Sequence, residues 1–225
     1  MRIGRHGNLA LLGALGALAL AGPARAQSRA ELGASAGWTA SDGVTFNGVV
    51  AGDGNIYNGI EPKDSFSYRL NLGFFATPQV EVGFLFGQQK STLRVTGTST
   101  RDIGDMSVDN YHGYVAYNFG DEHGQVRPYL LGGAGATHYG GVPYSVGAVS
   151  GTTQGSTKFS TTWEAGVKIY PAPKVGLRLG ARWTPTYIKS DAAGWWCDPY
   201  WGCYLVGNAQ YSNQFEFSGG LLLRF

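Results

Sequence analysis

Charge is scarce in this 225-residue chain: only 14% of residues are Asp, Glu, Lys or Arg, where a soluble domain carries about 25%. With 17 bases, 15 acids and a formal charge of +2, no basic surface exists to hold nucleic acid. The two cysteines are too few for a disulfide scaffold or a cysteine-rich zinc site. No apolar run reaches the roughly 18 residues of a membrane helix. Glycine and aromatics are plentiful instead. The 36 Gly exclude a coiled coil, because each costs a helix about 1 kcal/mol relative to Ala, and they lack collagen's three-residue period. The 6 Trp, 13 Tyr and 11 Phe exclude a disordered chain. A β-rich protein of one domain remains.

Residues 1–26 have the layout of a cleaved secretory signal: Arg2 and Arg5, an apolar stretch from Leu9 to Ala21, then Ala24-Arg25-Ala26. Cleavage there takes three bases and no acid, turning 17 bases and 15 acids into 14 and 15. The mature barrel domain, residues 27–225, is then near neutral.

Period-two alternation recurs through the mature chain. Ser65–Phe75 sets Phe66, Tyr68, Leu70, Leu72 and Phe74 against Ser67, Arg69, Asn71 and Gly73. The same two-faced pattern marks Val80–Gly87, Ser107–Phe119, Phe159–Tyr170, Val175–Trp183 and Tyr211–Phe225, and more weakly Glu31–Thr39 and Val126–Tyr139. These predict eight strands. Ala76–Gln79, Gly120–Gln125 and Pro171–Lys174 read as tight turns, whereas Ala40–Asp64, Lys90–Met106, Gly140–Thr157 and Thr184–Gln210 read as long loops. Short turns at one end and long loops at the other are the plan of an eight-stranded antiparallel up-and-down transmembrane β-barrel, with both termini at the short-turn end.

A soluble eight-stranded barrel would alternate too, so volume decides. So narrow a barrel holds filling side chains or one small ligand, and here only the Gly, Ser, Ala and charged face fits inside. The bulky apolar face must then point outward, which water does not tolerate over so large an area and lipid requires. Phe74, Phe75, Tyr117, Phe119, Tyr170 and Phe225 near the short turns, and Trp38, Tyr111, Phe159, Trp163, Trp183 and Tyr187 toward the loops, read as two interfacial girdles.

Arg127–Gly135, the strand-turn-strand Gly166–Tyr170 to Val175–Leu179, and the terminal Phe215-Glu216-Phe217 to Leu223-Arg224-Phe225 resemble the outer-membrane β-barrel domain family of small OmpA-, OmpX- and Opa-like porin-fold proteins. The resemblance spans the mature chain, and its motifs identify architecture rather than activity. It implies a Gram-negative outer-membrane location, contact with outer-membrane lipid, and Phe225 as the residue by which the barrel-assembly machinery recognises its client.

The inward parity holds Glu31, Glu81, Glu164 and Glu216 with Arg69, Lys168, Arg178, Arg182 and Arg224. Acids and bases confined together must pair, since an isolated buried charge is costly, and a lumen plugged by ion pairs is the expectation. A narrow porin-like channel for small solutes is the alternative. Hydrolysis of lipid A acyl chains is a third possibility, tested on histidine: neither His112 nor His138 has Ser two residues on, where it would share a face, and no Gly-x-Ser-x-Gly elbow occurs. No catalytic residue, cofactor site or metal site is expected.

Cys197 and Cys203 lie in the last long loop, and export through an oxidising periplasm makes a disulfide their expected state. Closing so short a ring contributes about 2.4 kcal/mol on the chain-entropy model. Trp195, Trp196, Tyr200, Trp201 and Tyr204 crowd around the bridge. Constrained exposed aromatics serve as binding anchors for an extracellular surface ligand; equally, they pack on the barrel rim or dip into the outer leaflet. A non-enzymatic structural or adhesin-like role through the loops follows.

Overall fold

The computed structural model describes residues 30–50, 54–146, 149–152, 154–188, 197–198, 202–203 and 210–225, and the regular structure among them is all β. Eight strands form the body: β1 (Ala30–Ser41), β2 (Ser65–Phe75), β3 (Val80–Gly97), β4 (Thr100–Asn118), β5 (Val126–Tyr139), β6 (Ser156–Ala172), β7 (Val175–Ile188) and β8 (Gln210–Arg224). Each pairs antiparallel with its successor from β2 to β8, and β1 joins β2 on one side and β8 on the other. The sheet therefore closes with no free edge, which satisfies every backbone group of the ladder without water, as a membrane demands. The seam runs in register from Glu31 opposite Arg224 to Ser41 opposite Gln214.

Alternation sorts the two faces. On β1, Glu31, Ser35 and Thr39 are buried while Leu32 and Trp38 are exposed; on β8, Gln214 and Glu216 are buried while Phe215, Leu221 and Phe217, the last 71% exposed, point out. The weakly patterned β5 settles in the register that turns Arg127, Tyr129 and Leu131 inward. The short turns are tight: Ala76 and Thr77 N–H bond to Val80 O, and Gly120 takes the positive φ of 84° that only glycine adopts freely.

The expectations about the long connections are corrected: Pro143–Val146 pairs with Val149–Thr152 inside Gly140–Thr157, β7 continues from Thr184 to Ile188, and the two other segments differ more. Lys90–Met106 is not a loop: β3 and β4 continue through it as one hairpin that turns at Thr98-Ser99. Part of Ala40–Asp64 is also strand, as Val44–Val50 pairs with Ile56–Pro62, which lies against the extended β3. The polar residues that suggested a loop occupy one face of this ribbon. Its other face carries Val44, Ile60, Leu93 and Met106, which pack with Val108, Tyr139, Val142 and Ile188. Val108, Tyr139 and Ile188 continue the inward parity of β4, β5 and β7, so this apolar cluster caps the lumen at its long-loop end.

On the solvent side of the ribbon, Lys63 Nζ donates to Asp102 Oδ2 at 2.9 Å and Arg94 Nε to Oδ1 at 3.3 Å. The Lys63 bond foremost, with Arg94 adding to it, holds the Asp102 carboxyl below the usual carboxylate range. Its pairing is therefore complete above that range and is lost as pH falls through the depressed value.

Candidate functional site: the barrel lumen

Seven strands supply the charged interior. Because successive inward residues are two apart, Glu164 and Lys168 on β6, and Arg178 and Arg182 on β7, stand on the same face with room for partners between them. At the short-turn end, Lys168 Nζ donates to Glu31 Oε1 at 2.5 Å and Glu81 Oε2 at 2.6 Å. Arg224 Nε reaches Glu31 Oε2 at 3.3 Å. The hydroxyls of Tyr170 and Tyr114 each donate at 2.7 Å, to Glu31 and Glu81 respectively. Toward the middle, Glu164 accepts from Arg69 Nη1 at 2.8 Å, Arg178 Nη2 at 2.9 Å and the Tyr129 hydroxyl. Glu216 accepts from Arg182 Nη2 at 2.5 Å and Arg69 Nη1 at 3.2 Å. All nine charged residues named from the sequence thus stand in two linked clusters, and all but Arg224 are fully or nearly fully buried.

Glycine makes this packing possible. A Cβ on Gly83 would lie 2.6 Å from the Tyr114 ring, and one on Gly180 would lie 2.7 Å from the Tyr129 hydroxyl. Each tyrosine lies across a strand that presents no side chain there.

Above the charges is a neutral layer. His112 Nε2 lies 2.8 Å from Ser160 Oγ, Thr137 Oγ1 donates to Asn110 Oδ1 at 2.7 Å, and Asn110 Nδ2 donates to Gln214 Oε1 at 3.1 Å. The His112–Ser160 contact passes over Gly135 of the intervening β5, the register partner of both residues, so it joins β4 to β6, and a search for serine on the histidine's own strand could not find it. Both residues are buried, and His112 Nδ1 has no hydrogen-bond partner among the described residues, so no acid orients the ring as a hydrolytic triad requires.

Two girdle assignments are corrected. Tyr170 shares the parity of Lys168, is 6% exposed, and points into the lumen. Phe75 also turns inward, and the cations of Arg127, Lys168 and Arg224 lie 5.5–5.8 Å from its ring centroid. Nearness to the turn had placed both among the outward aromatics, but strand parity overrides it. Arg127, Tyr114 and Tyr129 were missed as lumen groups. On β4 and β5, counting parity from His112 and from the Arg127 position would have found them.

Phe225 points outward and its N–H bonds to Ala30 O at 2.9 Å, finishing the seam. Cys197 and Cys203 are backbone partners in a two-stranded ribbon, 197–198 with 202–203. Residues 1–26 and the aromatics Trp195, Trp196, Tyr200, Trp201 and Tyr204 lie outside the described residues. Among the described residues no cluster of His, Cys, Asp or Glu is grouped to hold a metal ion.

The family model described as "Outer membrane protein beta-barrel domain" matches residues 8–225. The chain belongs to this outer-membrane β-barrel family. No curated protein matches it at a significant level. Among solved structures, the outer-membrane protein OprG from Pseudomonas aeruginosa is similar at 10% identity, with 88% of this chain and 97% of that chain covered and a TM-score of 0.52. The outer-membrane protein AlkL, determined in lipid bilayers, is similar at 12% identity, with 91% and 95% covered and a TM-score of 0.51. Neisserial surface protein A is similar at 15% identity, with 87% and 97% covered and a TM-score of 0.50. At such identities the likeness is one of fold. For an outer-membrane barrel the exposed Leu130, Val115, Leu179 and Leu221 form the lipid-facing band. Phe74, Tyr117 and Phe119 below it, and Trp38, Phe159, Trp163 and Trp183 above it, are exposed where interfacial aromatics belong.

Proposed function

We propose that this outer-membrane barrel is a closed, non-enzymatic scaffold that presents its long loops for contact at the cell surface. The observation that carries the reading is the double closure of the lumen, by linked ion pairs below and the apolar cluster of Val44, Ile60, Leu93 and Met106 above. A barrel filled in this way offers neither a solute path nor an accessible nucleophile, which leaves the loops and rim for function. The reading includes removal of residues 1–26 on export and Phe225 as the assembly signal. In planar bilayers, purified mature protein is expected to give no stable openings. Sustained single-channel currents would instead favour a narrow channel for small solutes.

The surface contact is assigned to Trp195, Trp196, Tyr200, Trp201 and Tyr204, held by a Cys197–Cys203 disulfide. The backbone pairing of the two cysteines is the approach such a bridge needs, and alkylation before and after reduction would reveal it by mass. Replacing both Trp196 and Trp201 by Ala is expected to weaken adherence to the surface ligand about 30-fold, the loss of a 2 kcal/mol anchor. Unchanged adherence by a normally folded variant would move these residues to the role of rim anchors in the outer leaflet.

A further inference from the structure

The lumen's charges do not balance. Six inward bases, Arg69, Arg127, Lys168, Arg178, Arg182 and Arg224, face four inward carboxylates, Glu31, Glu81, Glu164 and Glu216. The ion pairs among the described residues engage every one of these bases except Arg127. Arg127 is 1% exposed and donates through Nη2 to Pro78 O at 2.5 Å, while its Nε has no partner among the described residues. Arg224 Nη2 likewise has none. The two guanidiniums stand over the same Phe75 ring, 5.8 and 5.5 Å from its centroid, and both line a cavity of about 380 Å³ at the short-turn mouth, walled by Phe75, Tyr170 and His123. Glu122 lines the same cavity. Counting it as a fifth acid still leaves the bases in excess.

A buried guanidinium outside any ion pair, as Arg127 is, is expensive, and the second cation on the cavity, Arg224, has only Glu31, which it shares with Lys168. An oxyanion entering between them would relieve both. We propose that the short-turn mouth of the barrel, which faces the periplasm, is an oxyanion-binding site in which Arg127 Nε and Arg224 Nη2 grip a carboxylate or phosphate group presented from the periplasmic side. The planar N–H fork of arginine matches the paired oxygens of either anion, and the Phe75 and Tyr170 rings that flank the cations keep the arginine planes in place. The site lies at the opposite end from the loops and is independent of their role.

The test uses refolded mature protein in zwitterionic micelles, observed by NMR at the arginine Nε–H resonances. Arg127→Lys, which keeps the charge and removes the fork, identifies the Arg127 signal. Inorganic phosphate and glutarate are added separately, with sodium chloride at equal ionic strength as control. A saturable shift of that signal is expected with a dissociation constant on the order of 1 mM; phosphate alone, glutarate alone or both responding supports the site and identifies the anion. Binding should weaken tenfold or more in Arg127→Gln. No saturable shift with either anion, or an equal response to chloride, would overturn the proposal, as would full binding by a folded Arg127→Gln. If that variant does not fold, the wild-type titration against chloride decides alone.

Discussion

Glu164→Gln is expected to lower the unfolding free energy of the barrel by about 3–5 kcal/mol, the cost of leaving buried charges uncompensated. Glu164 is the acceptor at which the middle cluster converges: Arg69, Arg178 and Tyr129 all donate to it. Glutamine keeps the volume but removes the charge, and it presents an amide N–H₂ to donors that need an acceptor. Arg69 keeps Glu216 at 3.2 Å, whereas Arg178 has no other carboxylate within ion-pair distance among the described residues. The measurement is urea unfolding of the reconstituted protein, followed by tryptophan fluorescence and by the gel shift of folded against heated barrel. A change below about 1 kcal/mol would mean that water reaches and screens the cluster, and the closed-lumen reading would fall with it.

The second large effect concerns the opposite face. Leu179→Arg is expected to cost about 2–4 kcal/mol, the range for a cationic side chain at the bilayer midplane on the lipid face of a barrel. Leu179 is 51% exposed and stands about midway along β7 between the Lys174 turn and the girdle residue Trp183. The same substitution at Tyr187, near the end of that strand, should cost about 0–1 kcal/mol, because a long side chain there reaches the interface. Unfolding from lipid vesicles measures both. Equal costs at the two positions would contradict the assigned membrane span.

Much of this architecture was legible because a period of two is a strong signal wherever one face is bulky. Phe66, Tyr68, Leu70 and Leu72 alternating with Ser67, Arg69 and Asn71 allow one orientation in a narrow barrel, and from there each charged residue's parity follows. The signal faded where both faces were small. Gly132-Gly133-Ala134-Gly135 on β5 gives no bulky side, so Arg127 and Tyr129 escaped notice although Tyr129 anchors the middle cluster. Phe75 and Tyr170 sit beside turns, where girdle aromatics belong, yet strand parity turns both inward. The extended β3–β4 hairpin looked like a loop because outside the membrane a ribbon needs only one apolar side, and Leu93 and Met106 are spaced too sparsely to mark it. Contacts between strands that are not neighbours, such as His112 with Ser160 over Gly135, depend on the register of three strands, which no single strand encodes.

The seam has a kinetic consequence. Its ion pair joins Glu31 to Arg224, residues 193 apart in the chain, and the ladder that closes the barrel needs β1 and β8 together. Loop-closure entropy for so distant a pairing must be met before any contact rewards it. A nascent chain lacking β8 would carry two unpaired strand edges and its outward leucines and phenylalanines into water, and such a species aggregates. Completion of the last strand is therefore the committing event of biogenesis. A chain ending before Gln210 is expected to aggregate rather than to settle as a smaller barrel.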